Sequence, residues 1–92
     1  IGMNKTIKTA AEIKEWMDDK LHTENEKFKD FTFNTPINRE RLNENHPNWG
    51  LPPIQFHHST SMNKSNKIYE ALLIASEKIY NEASNLFNME KQ

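Results

Sequence analysis

Lys64 to Asn88, KSNKIYEALLIASEKIYNEASNLFN, is the stretch whose reading decides the fold of this chain. Ile68, Ala71, Leu72, Ala75, Ile79, Ala83 and Leu86 recur at i, i+3, i+4 and i+7, the spacing that gathers side chains on one face of an α-helix. The spacing predicts a helix over about 64–88. Tyr69, Leu73, Tyr80 and Phe87 lie next to that stripe, so the apolar sector is about 200° wide, roughly double what one packing surface needs. Ile74 stands alone on the opposite, Glu/Asn/Lys-bearing face. Either the core covers this sector on two sides, or part of it is a binding surface.

Working back from the helix, Ser59 to Ser65 (STSMNKS) is a polar connection rich in N-cap residues. An extended segment precedes it over about 48–58, with Trp49, Leu51, Ile54 and Phe56. Pro52-Pro53 cannot donate ladder hydrogen bonds, which makes that segment an irregular edge strand. Asn38 to Pro47 reads as a loop, with Leu42 its only apolar residue. Phe31 and Phe33 alternate with Thr32 and Asn34, predicting a strand over about 28–35 that ends or bulges at Pro36. Near the start, Thr9-Ala10-Ala11-Glu12 has the form of a capping box. Ala10, Ile13, Trp16, Met17 and Leu21 then share one face of a helix over about 10–22, with the stem of Lys20 lying along it.

The expected fold is α+β in the order α-β-β-α, two helices packed on a small antiparallel β-hairpin or meander, as a single domain over residues 1–92. A two-stranded ribbon is barely stable in water, so both helices should pack on one face of it. Residues 89–92 are expected to be a frayed tail, and Ile1-Gly2 ahead of Met3 reads as a cloning remnant.

Composition narrows the function classes. At 35% apolar residues the core is thin, and nine aromatics (two Trp, two Tyr, five Phe) must supply much of the burial. The absence of cysteine rules out disulfides and thiolate–metal sites and fits a cytoplasmic setting. No apolar run reaches the roughly 18 residues of a membrane span. With 12 basic and 13 acidic residues interspersed, the net charge of −1 provides no large positive field for nucleic acid.

Chemistry-bearing patterns are equally sparse. His22, His46, His57 and His58, with Glu40 or Glu44, are the available metal ligands, but adjacent His57 and His58 on an extended segment point to opposite faces. No metal site is expected. Gly2 and Gly50 are the only glycines, so a glycine-rich phosphate loop is impossible, and no cofactor is expected. Glu12, Glu15, Asp18 and Asp19 read as the solvated face of a helix, and no catalytic arrangement is recognisable. Lys27, Lys29, Arg39 and Arg41 accompany Phe31, Phe33 and Trp49, the ingredients of a single-stranded nucleic-acid platform. Glu26, Asp30, Glu40 and Glu44 are interleaved and cancel most of that field.

Three segments carry a family resemblance: Glu12-Ile13-x-x-Trp16-Met17, Asn48-Trp49, and Ala83-x-x-x-Phe87-Asn88-Met89. Together they resemble a group of small uncharacterised bacterial and phage-associated proteins. That group has an E-I-x-x-W-I helix, a central G-C-N-W-type segment and a C-terminal helix ending A-x-x-x-F-N-L. His46-Pro47 stand here in place of the usual Gly-Cys. The resemblance implies a fold and a mobile-element context, and carries over no functional residue.

The expected function is that of a non-enzymatic protein-binding protein, phage- or prophage-encoded, inhibiting or adapting a host protein. Tyr69, Leu73, Ile74, Tyr80, Phe87 and Trp49 are the candidate partner-binding residues, with a host protein or a second copy in a homodimer as the partner. The alternative is a single-stranded nucleic-acid-binding module using Phe31, Phe33 and Trp49.

Overall fold

Thr9 begins the first helix as its sequence demands. In a computed structural model, its Oγ1 accepts from the Glu12 N–H (3.1 Å) and Glu12 Oε1 accepts from the Thr9 N–H (3.0 Å). The structure describes residues 5–40, 46–52, 56–58 and 67–90, with 56–58 and Lys67 described by backbone alone. The capped helix, α1, spans Ala10–Glu24 and buries Ala10, Ile13, Met17 and Leu21. The long helix, α2, spans Lys67–Leu86 and buries Leu72, Ala75, Ile79 and Ala83. These two faces belong to one apolar cluster. Lys20 reaches Glu82 at 3.9 Å and Lys78 reaches Glu24 at 3.8 Å, so the helices run antiparallel.

Around this pair lie, among the described residues, six short strands: β1 (Thr6–Lys8), β2 (Phe31–Phe33), β3 (Ile37–Asn38), β4 (Trp49–Gly50), β5 (Phe56–His58) and β6 (Phe87–Met89). The fold is α+β, as expected, but its strands form three separate pairs and not a simple hairpin. β2 pairs antiparallel with β5 and β3 antiparallel with β4. Phe33 faces Phe56 in one ladder and Ile37 faces Gly50 in the other. The ladder of β2 does not run on into that of β3 across residues 34–36. Pro36 and Pro52 have no N–H to continue it.

The predicted strand over 28–35 is shorter than its composition suggested. Asn25 Oδ1 accepts from the Lys27 N–H (2.9 Å) and closes a 3₁₀ turn at Glu26–Phe28, which buries Phe28 outside the strand. Phe31 and Phe33 are buried with Thr32 between them half-buried, as the alternation required. The predicted loop begins later than expected, because Ile37–Asn38 belong to β3 and the Arg39 N–H donates to Asn48 O (2.8 Å). Leu42 and the Ser59–Ser65 connection lie outside the described residues, as do Ile1-Gly2.

The C-terminus departs most from expectation. The helix stops at Leu86, two residues before the predicted end, and Phe87–Met89 form a strand parallel to β1. Met89 is 3% exposed, and the Glu90 N–H donates to Lys8 O (2.8 Å), so neither belongs to a frayed tail. The strand's period of two buries Phe87 and Met89, while Leu86, the last helical residue and predicted as core, is 43% exposed. Ala71 of the predicted stripe is exposed as well. Lys5, just ahead of β1, donates from its Nζ to Ser84 O in the last turn of α2, where carbonyls lack helical partners. Among the described residues, no helix is long and apolar enough to cross a membrane.

The capping box makes a measurable claim. Thr9→Ala should cost about 1 kcal/mol of unfolding free energy in urea denaturation. The hydrogen bond from the Thr9 backbone, more than that from its side chain, holds the Glu12 carboxyl below its ordinary pKa. Its contribution is therefore present above the unfolded-state pKa and is lost as pH falls through the lower folded value. Glu12→Gln should flatten that acidic part of the stability profile; an unchanged profile would sink the assignment.

Candidate functional site

Three aromatic rings named from sequence are structural. Trp49 is 1% exposed, Phe31 2% and Phe33 0%. Base stacking needs an exposed ring face, so these residues provide no platform for a single strand. Trp49 and Phe87 (7% exposed) are likewise corrected from partner-binding candidates to core. Burial follows from what each ring touches. Trp49 Nε1–H donates to Phe87 O (3.0 Å), and its ring meets Tyr80 edge-on at 5.4 Å. Phe87 meets Trp16 edge-on at 5.2 Å, with Lys8 Nζ 5.7 Å above it.

Asn48 completes this junction. Its Oδ1 accepts from the Met89 N–H (2.7 Å) and its Nδ2 donates to Met89 O (2.8 Å). The side-chain amide thus occupies the edge of β6 turned away from β1, as a neighbouring strand would. Asn48-Trp49 and Phe87-Asn88-Met89, two of the three segments in the family resemblance, are hydrogen-bonded to each other. A matching device holds β2. Asp18 Oδ1 accepts from the Phe33 N–H (2.7 Å), while His22 Nε2 lies 2.6 Å from Phe31 O and must carry the proton, since a carbonyl only accepts. Asp18, read from sequence as a solvated acid, is therefore a strand anchor that also pairs with Lys14 at 2.6 Å.

The remaining candidates divide along α2. Tyr69 and Tyr80 are half-buried against the core. Leu73 is 42% exposed and Ile74 72%, the latter on the face where the sequence placed it. Leu73 and Tyr80 line an open cleft of about 450 Å³ together with Arg39, Gly50, Leu51 and Glu77. Arg39 Nη2 donates to Leu51 O (3.0 Å) and its side chain crosses directly over Gly50. A Cβ at position 50 would lie 2.4 Å from Arg39 Nε, so glycine is what lets the guanidinium take this path. On the other side of Arg39 and Tyr80 the surface continues past Glu40, His46 and Pro47. Glu77 follows Leu73 at i+4 on the helix, whereas nothing in the sequence marks Arg39, read there among the basic residues of a nucleic-acid platform, as their neighbour.

Among the described residues, no group of three or more histidines and carboxylates could hold a metal ion. His22 is engaged with Phe31 O and His46 is exposed. His57 and His58 lie in β5, opposite Thr32 and Phe31. No protein-family model, curated protein or solved structure matches the chain.

The Asn48 junction can be tested by deletion. Asn48→Ala removes two hydrogen bonds to a partly buried strand and should cost about 2 kcal/mol. For a domain of this size that lowers the melting temperature by about 10 °C. A change within experimental error would show that β6 does not depend on this amide.

Proposed function

We propose that this is a non-enzymatic protein-binding protein, phage- or prophage-encoded, that acts in the cytoplasm as an inhibitor or adaptor of a host protein. The observation that carries the binding part is the exposure of Leu73 and Ile74 side by side on a core helix, next to an open cleft. Exposed large apolar side chains grouped beside a concavity are the usual form of a protein contact, with Tyr80 a suitable aromatic anchor in the cleft wall. The mobile-element context comes from the family resemblance, and inhibition or adaptation is an analogy suited to a small domain without catalytic apparatus. Self-association through the same surface would give a homodimer. Nucleic acid is the weaker reading, since the rings that would stack are buried.

Leu73→Glu combined with Ile74→Glu tests this surface without touching the core. Exposed substitutions of this kind should change stability by no more than about 0.5 kcal/mol each. Affinity capture from source-cell lysate, with the tagged protein as bait, should then lose its specific partner while the far-UV circular dichroism is unchanged. Capture that survives the double substitution would remove this surface from the function.

A further inference from the structure

The exposed apolar pair on α2 is bracketed by acids. Glu70 and Glu77 are both exposed and lie two helical turns apart, about 10 Å along the axis. At 100° per residue they fall between Leu73 on one side and Ile74 on the other. Four other described acids are engaged by side-chain contacts: Glu12 in the cap, Asp18 with Lys14, Glu24 with Lys78, and Glu82 with Lys20. Glu70 and Glu77 take part in no ion pair among the described residues. Lys78, next to Glu77 in the helix, lies 3.8 Å from Glu24. Arg39 lines the same cleft as Glu77, donates to Leu51 O and forms no ion pair with Glu77.

From this charge pattern we infer that the occupant of the surface is a cationic amphipathic helix of a partner protein. It carries Lys or Arg at i and i+7 and apolar side chains at i+3 and i+4. Packed along α2, such a helix sets its apolar pair between Leu73 and Ile74 and its two cations over Glu70 and Glu77. Arg39 repels cations from the far wall and so fixes which side of the segment faces α2. The inference rests on the protein-binding reading and specifies the chemistry of the partner.

The test uses two alanine-based helical peptides of about 16 residues. One carries Lys at i and i+7 with Leu at i+3 and i+4; the other has Glu in place of each Lys. Titrated into the full isotope-labelled chain, the Lys peptide should shift the Leu73 and Ile74 methyl resonances and bind about tenfold more tightly than the Glu peptide. The preference should shrink with added salt and vanish in the E70Q/E77Q variant. Equal binding of both peptides at Leu73 and Ile74 overturns the cationic partner while leaving the surface as a protein contact. Binding elsewhere, or none, overturns the proposal; the capture experiment with L73E/I74E then decides separately whether the surface is used. Sedimentation showing a dimer that the Lys peptide does not dissociate, and that L73E/I74E does, makes a second copy the occupant and also overturns it.

Discussion

Asn48 and Trp49 hold the last strand from its outer edge, and the arrangement of the core depends on that contact. β6 has only three residues, and β1 can satisfy only one of its edges. On the other edge, Phe87 O and both backbone groups of Met89 would be left without partners near the core. A buried unpaired group costs about 1–3 kcal/mol, a large fraction of the stability of so small a domain. The amide of Asn48 and the indole N–H of Trp49 supply those bonds. Because the chain is fixed there, Phe87 can pack on Trp16 and Trp49 on Tyr80, joining α1 to the β1–β6 pair and α2 to the β3–β4 pair.

β2 is held by the same strategy. It is three residues long, and α1 presents Asp18 and His22, one turn apart, to the Phe33 N–H and the Phe31 carbonyl. Side chains thus replace additional strands along edges that the chain is too short to pair. The polar groups that anchor the strands therefore carry structural meaning, although they belong to residue types usually read as solvated or catalytic. The surface proposed as a protein contact lies elsewhere, on the outer face of α2 and in the cleft beside it.

That surface explains why the apolar sector of α2 is wider than one contact needs. Leu72, Ala75, Ile79 and Ala83 face α1 and the core, while Tyr69 and Tyr80 close the flank. Leu73 and Ile74 remain in water with Glu70 and Glu77 between them. Part of the excess width is a two-sided core, and part is a mixed apolar and acidic strip.

Local sequence determined α1 to within two residues at its end, its capping box, the inward alternation of Phe31 and Phe33, and the core stripe of α2 from Leu72 to Ala83. These depend on interactions between residues a few positions apart, which periodicity and capping chemistry expose directly. It also placed Ile74 on the outer face. Tertiary structure alone decided that helix gives way to strand at Phe87, that Trp49 is buried, and that Arg39 crosses Gly50 to line a cleft with Leu73. Each of those outcomes depends on hydrogen bonds or packing between residues far apart in the chain. Phe87-Asn88-Met89 continues a helical pattern until Asn48, some forty positions away, offers its backbone a better partner. Propensity cannot register a donor and an acceptor that meet only after the chain has folded.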